Sequence, residues 1–265
     1  MSEILNFGNG VLAGGSSRDA VRLVDHSGLD YPDVDVPINE NAVVDGGSVG
    51  RARAKTRRMS VKLDFKRSGL TRAEVTRLFP PGAVRQLSSA RGAMPYYVDG
   101  AVGFESPSIV GAAGKVTVPM VSPLAYPLAA QRLVDTGTTG GATFPLSFPL
   151  GFDVMNSPTS NSIVVESGGD VASLPLIIAT LETSVSSLSV LVAGRTTTIV
   201  GALSAGDVVA IDSAAKTVTV NGVNRLSWFD REGRWPVLLP GLNEVSTDVL
   251  SRIVVSWAPR VMGLL

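Results

Sequence analysis

A period of two runs through most of this chain, and it restricts the fold to sheets. In "RRMSVKLDFKR", Met59, Val61, Leu63 and Phe65 fall on one side and Arg58, Ser60, Lys62, Asp64 and Lys66 on the other, the pattern of a strand with one buried face. "MPYYVDGAVGF" is a second strand, turning at Asp99-Gly100, a good hairpin dipeptide. "KVTVPMV" is a third, and Pro119 inside it implies an edge or a bulge. One helix interrupts the alternation. In "TRAEVTRLFPP", Thr71 and Glu74 have capping-box spacing, Val75, Leu78 and Phe79 form one apolar stripe, and Pro80-Pro81 stops it.

Composition shifts at "DTGTTGGATFP", where residues 135–143 are nearly all Gly, Thr and Ala, a linker or domain border. Beyond it lie "NSIVVES", "LPLIIATLE", "SLSVLVAG", "TTTIVG", "DVVAID", "KTVTVNG", "VLLP" and "RIVVSWAP". Their spacing, with turn residues between and no βαβ rhythm, predicts an antiparallel jelly-roll sandwich. Within "LSAGDVVAIDSAAKTVTVNGVN", Val209, Ile211, Val218 and Val220 should face its core. Asp207 and Asp212 should cap turns, and Asn221-Gly222 should supply the positive-φ positions of the next one.

Several chemistries are short of parts. The chain has no cysteine and one histidine, His26, so disulfides, thiolate chemistry and most metal sites lack ligands. Its 265 residues carry a formal net charge of zero, which points to neither nucleic acid nor membrane. The start lacks a signal-peptide pattern and no apolar run is long enough to span a bilayer, so a soluble protein made in a cytoplasm is expected. "GGSVG" around Ser48 has the nucleophile-elbow spacing, but "RARAKTRR" follows instead of a helix, and His26 is the one available base. "GAAGKVT" fails as a P-loop, because Val116 follows Lys115; it reads as a turn entering a strand. His26 reads as a polar loop residue. Asp230 and Glu232, beside Arg231 and Arg234, read as local ion pairing in a turn.

Two groups remain as candidate contact sites. Arg51, Arg53, Lys55, Arg57 and Arg58 are clustered. They could meet phosphates, although no aromatics are interleaved to stack bases; a solvated or subunit-facing loop is the simpler reading. Trp228 and Trp235 bracket "WFDREGRW". They could stack on sugar rings or cover the end of a core. No catalytic, cofactor-binding or metal constellation is expected.

The order of elements resembles the siphophage distal tail protein family. "MSVKLDF", the helix "RAEVTRLFPP", "VRQLSSARGAMPYYVDGAV" and "VSPLAYPL" follow that family's first half. "ATFPLSFPLGF", "ESGGDVASLPLIIAT", "LSAGDVVAIDSAAKTVTVNG", "WPVLLPGLNEV" and "RIVVSWAPRVMGL" follow its second. Ser167 stands where the family usually has Asn, and the portion before Met59 matches least. The resemblance implies a non-enzymatic, mostly β structural protein of the virion, at the tip of a long non-contractile tail. Residues 1–134 would be a split-barrel-like, ring-forming domain resembling the tail tube, and 135–265 a galectin-like sandwich. The ring, typically a hexamer, would join the tail tube protein to a tail hub or fibre protein for host attachment, with DNA passing through unbound. Arg51 to Arg58 would face the lumen or a neighbouring subunit, and the sandwich could carry a host-surface glycan site. A carbohydrate-binding module with an accessory domain is the alternative.

Overall fold

The computed structural model describes residues 4–16, 19–40, 47–105, 113–136 and 161–265. The chain divides into two compact units. The first holds Met1–Ala129 together with Arg260–Leu265, and the second holds Ala130–Pro259. The border expected at 134/135 thus differs from the observed division, and six residues beyond the second unit return to the first.

Among the described residues, unit 1 contains twelve strands: β1 (Leu5–Asn6), β2 (Leu12–Gly14), β3 (Val21–Ser27), β4 (Val34–Asp35), β5 (Ile38–Glu40), β6 (Gly47–Val49), β7 (Arg53–Ala54), β8 (Arg57–Asp64), β9 (Val84–Ser88), β10 (Ala93–Val98), β11 (Gly103–Glu105) and β12 (Lys115–Ser122). One helix, α1 (Arg72–Leu78), precedes β9. Seven strands pair in the order β10-β9-β1-β2-β3-β8-β12, and β12 pairs back to β10, which closes a barrel. Met59, Val61, Leu63 and Phe65 are all buried, as their alternation requires. They share one core with Val116, Val118 and Met120 from β12 and with Phe7, Phe79 and Tyr96. Phe7 stands edge-on to both Phe79 and Tyr96, and the Tyr96 hydroxyl donates to the Phe7 carbonyl. Burying each large aliphatic side chain contributes about 1.5–3 kcal/mol, and this core is what holds so short a helix.

β12 organises the closure. It pairs with β8 without a register break from Lys115↔Asp64 to Ser122↔Arg57. Its other edge serves β11 and β10 in turn. Asp99-Gly100 does turn the chain, with Gly100 at φ 107°, but β10 and β11 do not form the expected hairpin. Both lie along one edge of an eight-residue strand long enough for the two. Pro119 sits where one partner ends and the next begins. Its carbonyl accepts from the Asp99 N–H on that edge, so its own nitrogen points the same way and no β8 ladder bond is lost. There is no bulge at Pro119.

The helix has the capping box its sequence predicts. Thr71 Oγ1 accepts from the Glu74 N–H, and Glu74 Oε2 accepts from the Thr71 N–H. These bonds, the backbone one foremost, hold the Glu74 carboxyl below its ordinary range. A depressed native pKa stabilises the fold above the unfolded value, and that stability is lost as pH falls through the native one.

Unit 2 contains β13 (Arg132–Asp135), β14 (Ser162–Glu166), β15 (Leu176–Leu181), β16 (Val185–Val192), β17 (Arg195–Leu203), β18 (Val208–Asp212), β19 (Thr217–Val220), β20 (Val223–Asn224), β21 (Leu242–Thr247) and β22 (Ser251–Trp257). They make two antiparallel sheets, β13-β22-β15-β18-β19-β20 and β14-β21-β16-β17, whose inward side chains form one core. The β18–β19 hairpin matches its sequence reading closely. Val209, Ile211, Val218 and Val220 are buried, and Asn221 and Gly222 take φ 51° and 78°. Asp207 accepts from the Ser204 N–H, then from the Asn221 amide, and these bonds lower its pKa. Asp212 accepts from Ala214 and Ala215. "VLLP" is not a strand. Only Leu238 bridges, to Ser173, because Pro236 and Pro240 on either side lack a donor.

Replacing the cap by Thr71→Ala should cost about 1 kcal/mol, read as a lower urea midpoint. Glu74→Gln should leave a protein whose midpoint falls less than the wild type's on acidification below 4.5, the unfolded value.

Candidate interaction surfaces

Between β3 and β8 the chain leaves the barrel as a two-stranded arm. β4 pairs with β7 (Val34↔Ala54, Asp35↔Arg53), and β5 pairs with β6 (Ile38↔Val49). Gly50 N–H to Pro37 and Lys55 N–H to Asp33 extend the ladder between and below them. Its sequence reads as strand, Pro, strand, and the return limb carries the cations. Tyr31, Val34, Val36, Ile38 and Val49 are all exposed, Tyr31 and Val49 to 71% and 70%. A two-stranded ribbon is marginal in water by itself, and its exposed aliphatic surface makes the arm a candidate contact site.

The predicted basic cluster divides here. Arg51, Arg53, Lys55 and Arg58 are exposed, and Lys55 pairs with Asp35 at 3.4 Å. Arg53 lies on β7 and Arg58 on the exposed face of β8, while Arg51 and Lys55 sit in the connections on either side of β7. Arg57 is different. Its side chain is fully buried and cannot line a lumen. Nη1 donates to the Leu29 carbonyl at 3.1 Å and Nη2 to the Met262 carbonyl at 2.5 Å. Burial lowers its pKa, partly opposed by Tyr126, Asp30 and Asp33. Parity could have found it: Arg57 continues the odd-numbered face of Met59, Val61 and Leu63.

The tryptophan loop is an edge cover. β17 is the last strand of its sheet. Along its free side, the Asp230 N–H donates to Thr198, the Arg234 N–H donates to Thr196, and Phe229 bridges to Ile199. Such a cover blocks pairing with another chain. A short 3₁₀ turn, Leu226–Trp228, lays the Trp228 indole over Gly201. Arg225 lies on that ring, 5.0 Å from its centroid. Phe229 and Trp235 stack with centroids 4.4 Å apart. All three rings pack, half-buried, against the core of unit 2. Asp230 Oδ1 accepts from the Glu232 N–H, a turn bond in place of the expected ion pairing.

The other candidates take structural places. His26 is on β3, not in a loop, paired across from Val61, with Nδ1 3.8 Å from Asp30. Ser48 is the middle residue of β6, so the strand–turn–helix of a nucleophile elbow is missing. Lys115 opens β12 after a turn at Gly114, whereas Gly111 and Ala112 lie outside the described residues. So does "ATFPLSFPLGF", together with residues 137–143 of the expected linker. Among the described residues no group of His, Asp and Glu could hold a metal ion, and no helix is long and apolar enough to cross a membrane. On the outer face of the four-stranded sheet, Leu191, Leu239, Leu242 and Glu244 line an open depression of about 400 Å³.

Residues 168–260 match the family described as the siphovirus-type tail component, C-terminal domain. The matched residues lie almost wholly in the second unit. The SPP1 Dit protein, described as a paradigm of the hub adsorption apparatus in Gram-positive-infecting phages, shares the fold across both units. The TM-score is 0.60 at 14% identity, over 97% of this chain and 98% of that one. The phage P2 baseplate, in its activated conformation with calcium, gives a TM-score of 0.39 at 10% identity over 98% of each chain. No curated protein matches the chain.

A Cβ at Gly201 would lie 2.3 Å from the Trp228 ring. Gly201→Val should therefore lift the indole from β17, seen as a red shift of tryptophan emission and a lower Tm.

Proposed function

We propose that this protein is the distal tail component of a long-tailed siphophage, a structural ring that joins the tail tube to the tail-tip or fibre proteins. One observation carries the reading: a tail-component domain, residues 168–260, lies in a chain whose full length shares the SPP1 Dit fold. Similarity to a hub of an adsorption apparatus supports a hub role here. The role proposed is that of a load-bearing part without enzymatic activity.

The ring is built from unit 1, with six copies as the expected number. The closed barrel offers no long free edge, so the arm at residues 31–55 is the surface that meets a neighbouring subunit. Its exposed aliphatic residues are buried there, and Arg51, Arg53 and Lys55 set the register against that neighbour's acids. DNA passes through the ring without specific binding. A glycan site on unit 2 would need ring faces other than those of Trp228 and Trp235, which are taken by Gly201, Arg225 and Phe229.

Native mass spectrometry of the purified chain, or averaged electron micrographs of tails, should show a cyclic oligomer. A chain that is a monomer within assembled tails would sink the proposal. Ile38→Asp with Val49→Asp should abolish the oligomer while leaving the circular dichroism spectrum unchanged, because both positions are solvent-exposed in the isolated chain.

A further inference from the structure

The chain crosses from unit 1 into unit 2 after Ala129 and comes back at Arg260. The departing and returning segments pair with each other. Leu128 exchanges backbone bonds with Ala93 on one side and bridges to Arg260 on the other. The Val261 N–H donates to Pro127, and the Leu264 N–H donates to the Leu29 carbonyl. Arg57 reaches the Met262 carbonyl, and Arg91 reaches that of Leu265. Gly263 passes so close to Asp30 that a Cβ would stand 2.4 Å from its carbonyl oxygen. Leu264 is 1% exposed and belongs to the barrel's core, with Leu265 packed against it.

Two of these contacts, those of Met262 with Arg57 and of Leu264 with the barrel core, complete parts of unit 1 that are buried. Without Met262, the buried Arg57 guanidinium keeps a single carbonyl partner, and its Nε has none already. Without Leu264, the core opens beside Leu29. A buried cation missing a partner and a core missing a leucine are both strongly destabilising. Synthesis ordinarily lets the first domain of a chain fold first. Here unit 1 lacks part of its core until every residue of unit 2 has been made.

We infer that residues 260–265 act as a completion clamp: unit 1 reaches its stable, assembly-competent form only when they seat in the cradle of Leu29, Asp30, Arg57, Arg91 and Pro127. Chains that stop within unit 2 are thereby kept out of the assembly. The link to assembly rests on the ring proposed above; the folding dependence does not.

Hydrogen exchange on the full chain and its variants tests it. Deleting 260–265, or substituting Gly263→Val or Arg57→Met, should cut protection of the β8 and β10 amides at least tenfold. Protection of β15 and β18 in unit 2 should be unchanged. A synthetic Arg-Val-Met-Gly-Leu-Leu peptide, added to the deletion variant at millimolar concentration, should restore protection in unit 1. If the deletion variant precipitates, Gly263→Val and Arg57→Met decide the matter. Unchanged protection of β8 in those two variants, or equal loss in both units, overturns the clamp. In the assembly arm, Gly263→Val should stay monomeric at a concentration where the wild type forms its oligomer. A wild type that never oligomerises would remove the ring and leave the exchange result standing.

Discussion

Unit 1 depends on β12 being paired along both edges. Eight residues hold β8 on one side through an unbroken register and hold β11 and then β10 on the other. Closing the sheet in this way removes the free edges that an open sheet would present. It also fixes the inward face, so Val116, Val118 and Met120 meet Met59, Val61 and Leu63. The helix, the arm and the returning segment are attached to a barrel that this one strand completes. Pro119 is tolerated because its missing donor coincides with the gap between β11 and β10.

The same economy of edges appears in unit 2. β17 would be open, but the loop that carries Trp228, Phe229 and Trp235 runs along it and bonds to Thr196 and Thr198. The sheets of unit 2 still end in β13, β20 and β14, which carry the exposed Leu133, Val223 and Val164, while in unit 1 the exposed aliphatic side chains of paired strands outside the barrel lie on the arm.

Much of this was legible, and where it failed the reasons are specific. The capping box at Thr71 and Glu74, the Asn221-Gly222 turn and the turn-capping roles of Asp207 and Asp212 all rest on groups a few residues apart. Asp99-Gly100 was read correctly as a turn and wrongly as a hairpin, because the partner of each arm is β12, which lies further along the chain. "VLLP" had strand-like residues but flanking prolines. His26 was assigned to a loop because the bulge between Leu23 and Asp25 breaks the alternation that would have marked β3. Arg57 was grouped with its cationic neighbours by type, whereas its parity with Met59 put it inside.

The sequence alone settled the local grammar: which segments alternate, where a helix begins, where the chain must turn. These follow from steric and hydrogen-bonding preferences that act over two to four residues, whatever the rest of the chain does. The tertiary structure decided which strand lies beside which, that the sheet closes, that the Trp228 loop guards an edge, and that Arg57 bonds to Met262, 205 positions away. Such pairings are selected by burial of the whole core and by satisfying every buried polar group at once. No short window of residues contains that information.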